Sequence, residues 1–188
     1  MVVSEVQRRL RNATASAHVR LEANLNALDL LSALSTRVGL IRRYYIFHSH
    51  VEAALTPHLK LLPGLAFASR CRASLLAKDL IDLGCRASSD HEFTLSVSSQ
   101  AEALGGLYVL EGSTLGGRAI LQDLSRRGAS TRGLNFLDPY GANTGKLWRS
   151  FLNVLERETA SCEAALDETV SGAVKVFAFA EDCLCKKE

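Results

Sequence analysis

Apolar residues recur at intervals of three and four along most of the chain, which is the spacing of one face of an α-helix. The first such run extends from Ser4 to about Leu28, and Ser4 and Gln7 have the spacing of a capping box at its start. Its apolar positions are Val6, Leu10, Ala17, Leu21 and Leu25. The chain is therefore predicted to begin with a long amphipathic helix.

The same spacing predicts further helices over residues from about 36 to 57, 67 to 83, 99 to 127, 144 to 165 and 170 to 184. Gly84 and Gly128 follow two of these runs, as expected of C-terminal stops, and Ser99 and Glu102 form another capping box. Polar or turn-forming stretches separate the helices at 61–64, 85–97 and 137–141.

Only VVSEV and LSVSS could form strands, and both are short. The chain contains no repeat of 20 to 50 residues, which argues against a solenoid. We therefore predict an all-α fold, with residues 1–188 in one compact helical bundle.

Composition narrows the classes of partner. The 188 residues are 47% hydrophobic, enough for one full core, and the net charge of +2 without a basic block gives no reason to expect nucleic acid. No signal peptide and no run of about 18 apolar residues is present, so we expect a cytoplasmic protein without a membrane span. The five cysteines lack a CxxC pair, which favours reduced thiols over disulfides or zinc.

The stretch from Leu104 to Leu121 reads as a helix but contains glycine at 105, 106, 112, 116 and 117. Each glycine costs a helix interior about 1 kcal/mol relative to alanine, so something must approach this backbone closely. From spacing alone, a second helix packed against it and a flat ligand in a backbone-lined cavity are about equally good interpretations.

His18 is the candidate metal ligand. Arg11 lies seven residues before it and Glu22 four residues after it, so the three share one side of the first helix. A ligating imidazole donates its second N–H to an oxygen, which Glu22 could accept, although spacing alone favours a surface histidine with an ion pair. His48 and His50 are two residues apart and would point to different faces of their helix, so they cannot chelate one metal.

Three segments together carry a family resemblance: LRNATASAHVRLE at 10–22, YVLEGSTLGGRAIL at 108–121 and LWRSFLNVLE at 147–156. In order and helix content the chain resembles the biliverdin-producing haem oxygenases, particularly the bacterial branch associated with bacteriophytochromes. The resemblance implies that haem lies between a proximal and a distal helix, and that it is both cofactor and substrate.

The resemblance also implies roles for individual residues. His18 would be the proximal iron ligand and Glu22 its orienting partner. The distal backbone over the haem would be formed by Gly112, Gly116 and Gly117, and the haem propionates would be held by Arg11 and Arg149.

Ser113 departs from the commoner family pattern, in which this position is an aspartate that organises a proton-delivering water chain. The phytochrome-associated branch is similar to this chain in that respect, so a rearranged network is favoured over lost activity. A serine hydroxyl can still donate and accept hydrogen bonds.

By this resemblance the expected reaction is O₂-dependent cleavage of haem to biliverdin, carbon monoxide and ferrous iron. The electrons would come from an external reductase or ferredoxin, and a bacteriophytochrome could accept the biliverdin. Two alternatives stay open: a haem carrier or sensor that does not degrade haem, and a haem-free bundle that uses its glycines for packing.

Overall fold

A computed structural model describes residues 3–88 and 94–185, and within these ranges all regular structure is helical, as predicted. The α-helices are α1 (Glu5–Leu25), α2 (Ala27–Ser32), α3 (Leu34–Leu59), α4 (Ala73–Asp82), α5 (Gln100–Arg126), α6 (Thr144–Thr159) and α7 (Glu163–Cys185). Short 3₁₀ turns lie at Phe67–Arg70, Asn135–Leu137 and Gly141–Asn143. LSVSS, one of the two short strand candidates, is not a strand, and part of the other, VVSEV, lies outside the described residues.

The predicted start of α1 is confirmed, because the Ser4 hydroxyl accepts a hydrogen bond from the Gln7 backbone N–H at 3.3 Å. The helix ends before Leu28, however. Asn26 takes the left-handed conformation, with φ at 41°, and asparagine tolerates that region better than most residues. A separate short helix, α2, then continues the chain.

The helix predicted over residues 67–83 is divided, because Cys71 is extended between a 3₁₀ turn and α4. The backbone N–H groups of Arg72 and Ala73 donate to the Glu52 carboxylate of α3, at 2.6 and 3.2 Å. This buried carboxylate caps the start of α4, so the break is set by a contact from a distant helix. Local periodicity could not reveal it.

The last two helices also divide differently from the prediction. We expected one helix to reach about residue 165 and the next to begin near 170, but α6 ends at Thr159 and α7 begins at Glu163. Leu166 and Thr169 are buried within α7, so the apolar face is continuous across the predicted gap. The Cys162 carbonyl accepts from Leu166 N–H in the first turn of α7.

Helix α5 runs through the middle of the bundle and packs most extensively on α7. A Cβ atom on Gly105 would lie only 1.8 Å from the Thr169 carbonyl oxygen, and one on Gly172 only 2.0 Å from that of Glu102. The two backbones therefore touch through paired glycines. No helix in the described ranges is long and apolar enough to cross a membrane.

Candidate active site

Two adjoining cavities lie between α1, α3 and the middle of α5. The larger, of about 530 Å³, extends toward α6 and α7, and the smaller, of about 330 Å³, extends toward α2 and the 3₁₀ turn at Asn135–Leu137. Both volumes are in the range of small-molecule sites. The residues that line both cavities are His18, Leu21, Tyr44, His48 and Ser113.

His18 lies on α1 where the two cavities meet, and 58% of its side chain is exposed. Its Nδ1 atom is 3.5 Å from an oxygen of Glu22, which leaves Nε2 as the ring nitrogen available to a ligand. The edge of the ring packs against Phe177 of α7, with centroids 5.9 Å apart. The imidazole is therefore supported on one side and accessible on the other.

The glycines of α5 divide into two groups. Gly112 and Gly116 line the cavities. A Cβ atom on Gly112 would meet only Trp148, at 4.0 Å, and a Cβ atom on Gly116 would meet no atom within 4 Å. Gly105 instead packs against the α7 backbone, and a Cβ on Gly117 would lie 2.6 Å from the Leu137 carbonyl oxygen. Close packing thus accounts for Gly105 and Gly117, whereas Gly112 and Gly116 border open cavity space, as the ligand interpretation requires.

Gly117 has features of both groups. Its main chain lines the smaller cavity, but the hydrogen in place of its side chain allows close approach of the Leu137 backbone. The absence of a side chain at 117 is therefore explained by helix packing, whereas at 112 and 116 it leaves cavity space.

A basic and a phenolic side chain, Arg11 and Tyr108, meet in the lining of the larger cavity. Burial raises the pKa of Tyr108, and the charge of Arg11 and a hydrogen bond from it act in the opposite direction. Arg149 is exposed and does not line either cavity; its neighbour Trp148 lines the larger one. The structure thus brings Arg11 to the site and leaves Arg149 on the surface.

Ser113 is bonded to a buried arginine that the sequence analysis did not select. Arg72 is 3% exposed, and its guanidinium donates to Ser113 Oγ at 3.2 Å and to the Leu110 carbonyl. The Ser113 hydroxyl itself donates to the Leu110 carbonyl at 2.7 Å. The Nε–H of Arg72 is buried without a protein partner, and this side chain lines the smaller cavity.

His48 is the second polar residue that the sequence analysis left without a role. It is 2% exposed, and its Nδ1 lies 3.0 Å from Glu52 Oε1. Burial and the nearby Arg72 charge lower the pKa of His48 from 6.5 to about 4, although Glu52 opposes this shift. His48 is therefore neutral near pH 7. His50, by contrast, bonds the Ile46 carbonyl and does not line the cavities.

A signal for His48 was present in the sequence, since His48 and Glu52 have the same spacing of four as His18 and Glu22. Arg72 gave no such signal. Its position depends on the tertiary contact of its backbone with Glu52, and arginine is rarely buried.

A model of the Heme oxygenase family matches residues 4–185 of the chain. A heme oxygenase of Xanthomonas campestris pv. campestris is 34% identical over 155 residues, which cover 79% of this chain and 88% of that protein. Heme oxygenase PigA of Pseudomonas aeruginosa is 28% identical over 152 residues, covering 79% and 76%. The chain belongs to the haem oxygenase family.

The fold agrees with this assignment. The solved structure of the NO- and CO-bound heme oxygenase from Neisseria meningitidis superimposes with a TM-score of 0.77 at 22% identity, covering 94% of this chain and 88% of that one. The protein is accordingly an enzyme that degrades haem to biliverdin.

Proposed function

We propose that haem binds in the joined cavities between α1 and α5, with its iron held by Nε2 of His18. One observation carries this proposal: the accessible imidazole of His18 lies in the same space as the bare backbone of Gly112 and Gly116. Glu22 then fixes the orientation of the ring, as an oxygen beside the second nitrogen of a ligating histidine commonly does.

The lining fits the two chemical characters of haem. The walls are mainly apolar, which suits the flat macrocycle, and aromatic side chains of Phe47, Trp148 and Phe177 surround the larger cavity. Arg11 and Tyr108 supply donors for the propionates at one end. Arg149 would assist from the surface rather than from the lining, so we expect it to contribute less than Arg11.

Bound haem supplies the site for O₂ activation, with electrons from an external reductase or ferredoxin, and it is itself the substrate that is cleaved to biliverdin, carbon monoxide and ferrous iron. The protein contributes shape and polarity. Gly112 and Gly116 leave room next to the macrocycle, so that a small molecule can lie against the α5 backbone. The surrounding apolar walls limit the water that reaches this space.

Proton delivery is the task for which this chain lacks the family's usual aspartate. Because Ser113 donates to the Leu110 carbonyl and accepts from Arg72, its only proton and one of its two acceptor positions are already used. The buried Nε–H of Arg72 is a donor, and the ring of His48 offers an acceptor. We infer that these two groups organise the water in the cavity, with Ser113 holding Arg72 in place.

The biliverdin could be transferred to a bacteriophytochrome. This partner is implied by the resemblance of the motifs to the phytochrome-associated branch of the family. The main alternative is a protein that binds haem on the same fold without degrading it. The spectroscopic outcome described next separates these two functions.

The residue assignments are tested by comparing His18→Ala with His50→Ala, a matched change of a histidine that does not line the cavities. We expect His18→Ala to bind hemin about tenfold more weakly, a loss of about 1.4 kcal/mol, with a shifted Soret band and no turnover with ascorbate. His50→Ala should behave as wild type. A normal Soret band and normal turnover in His18→Ala would remove the ligand assignment, and a stable Soret band in wild type would favour the carrier.

A further inference from the structure

Glu52 is a buried carboxylate that the proposed reaction does not use directly. It is 7% exposed and does not line either cavity. Its Oε1 atom accepts from the backbone N–H of Arg72 at 2.6 Å and lies 3.0 Å from Nδ1 of His48. The Ala73 N–H is 3.2 Å from both carboxylate oxygens.

These contacts determine the charge of Glu52. Burial alone would raise the pKa of this carboxyl group, but the hydrogen bonds from His48, Arg72 and Ala73 outweigh burial and lower it. An ionised carboxylate has no proton to donate, so the hydrogen of the contact with His48 must belong to the histidine. His48 is therefore neutral with its proton on Nδ1.

The protonation of Nδ1 determines what the other ring nitrogen of His48 can do in the cavity. A neutral histidine protonated on Nδ1 carries a lone pair on Nε2, so its second nitrogen accepts a hydrogen bond and cannot donate one. His48 lines both cavities. With Nδ1 bound to Glu52, Nε2 is the ring nitrogen left for a molecule in that space. Arg72, which lines the smaller cavity with His48, has an Nε–H without a protein partner and can supply a donor.

We propose that Glu52 is a positioning residue that holds His48 in the Nδ1-protonated tautomer and so gives the haem site a hydrogen-bond acceptor to complement the Arg72 donor. The proposal rests on haem binding in these cavities. In place of the distal aspartate that is common in the family, this chain would use two groups. They are the Glu52 carboxylate, which lies outside the cavities, and the His48 imidazole, which lines them. Glu52 acts through His48 and, by its contact with the Arg72 backbone N–H, also supports the Arg72 donor; it does not itself line the cavities.

Glu52→Leu removes the acceptor, and Glu52→Gln is the matched variant because its amide oxygen can retain the Oε1 contacts. We test the tautomer first in the haem-free protein, by ¹⁵N-detected NMR of the His48 ring at pH 7. Wild type and Glu52→Gln should show a proton on Nδ1, and Glu52→Leu should lose this tautomer. If Glu52→Leu, shown to be folded by its circular dichroism and melting curve, keeps the Nδ1 proton, the proposal is overturned whatever the haem chemistry.

Turnover then tests the functional part. We expect folded Glu52→Leu to convert hemin to biliverdin about tenfold more slowly, at or below the lower end for positioned proton-transfer groups, with its hemin affinity within about twofold of wild type. In a His48→Leu background the same change should slow turnover much less than in wild type, because only the support of Arg72 and the start of α4 is then lost. An undiminished effect in that background, or wild-type turnover in Glu52→Leu, would overturn the proposal.

If the chain bound hemin without turnover at all, the proposed reaction would fail while the NMR result still stood. Loss of hemin affinity in Glu52→Leu with an unchanged tautomer would show instead that Glu52 only supports the fold.

Discussion

His48 is a buried histidine whose environment differs strongly from that of an exposed side chain. It is a fully enclosed imidazole between the carboxylate of Glu52 and the charge of Arg72. In the sequence, His48 stands out first as a neighbour of His50, and two histidines that are two residues apart on a helix cannot chelate one metal. What the pattern could not convey is burial, because α3 has apolar residues on more than one side.

The buried state of His48 gives a pH dependence of stability in the haem-free protein. The pKa is lowered from 6.5 to about 4, so between these values the unfolded chain binds a proton that the folded chain does not. The stabilisation is complete above pH 6.5 and is lost as pH falls toward 4. At 1.36 kcal/mol per pKa unit, the loss is on the order of 3 kcal/mol.

Urea unfolding at several pH values between 4.5 and 7.5 measures this contribution. We expect His48→Gln to flatten the acid-side decline, while His58→Gln, whose ring bonds the Val97 carbonyl at 3.0 Å, should retain it. Stability curves of wild type and His48→Gln that stay parallel across this pH range would contradict the buried neutral histidine.

Helix α5 shows how one element serves two purposes along its length. Its N-terminal part packs backbone to backbone on α7 through Gly105, and its middle borders the cavities through Gly112 and Gly116. The glycine spacing predicted that another group packs closely against this helix, but it could not distinguish a neighbouring helix from a ligand. The distinction depends on which direction each missing side chain faces, and that requires the positions of α7 and the Leu137 turn.

The same substitution at two glycines of α5 should therefore have opposite effects. Gly105→Ala places a Cβ against the Thr169 carbonyl, and we expect it to destabilise the fold by about 3 kcal/mol or more through overpacking. Gly116→Ala meets no atom within 4 Å and should stabilise the haem-free helix by up to about 1 kcal/mol.

Thermal melting without hemin, followed by hemin titration, separates the two roles. Gly116→Leu should fold normally and bind hemin poorly, because its side chain would occupy the cavity. A low melting temperature for the Gly116 variants, or normal hemin affinity in Gly116→Leu, would contradict the division of α5.

At the scale of the whole molecule, the sequence was sufficient for the helical class and for the starts of α1 and α5, because the capping residues Ser4 and Ser99 act locally. The predicted helix boundaries were wrong where contacts between residues distant in sequence determine them. The break before α4 is produced by Glu52 and the boundary of α7 by a face that packs on α5. His18, Gly112 and Gly116 were selected from motifs, whereas Arg72 required the assembled bundle.

Single turnover of the hemin complex tests the central claim most directly. The wild-type protein is loaded with one equivalent of hemin, reduced in the presence of O₂, and followed by visible spectroscopy, with the extracted pigment identified by chromatography. We predict loss of the Soret band, stoichiometric carbon monoxide and one equivalent of biliverdin, all abolished in His18→Ala. A hemin complex that keeps its Soret band through repeated reduction in O₂, or one that bleaches without biliverdin, would contradict the account.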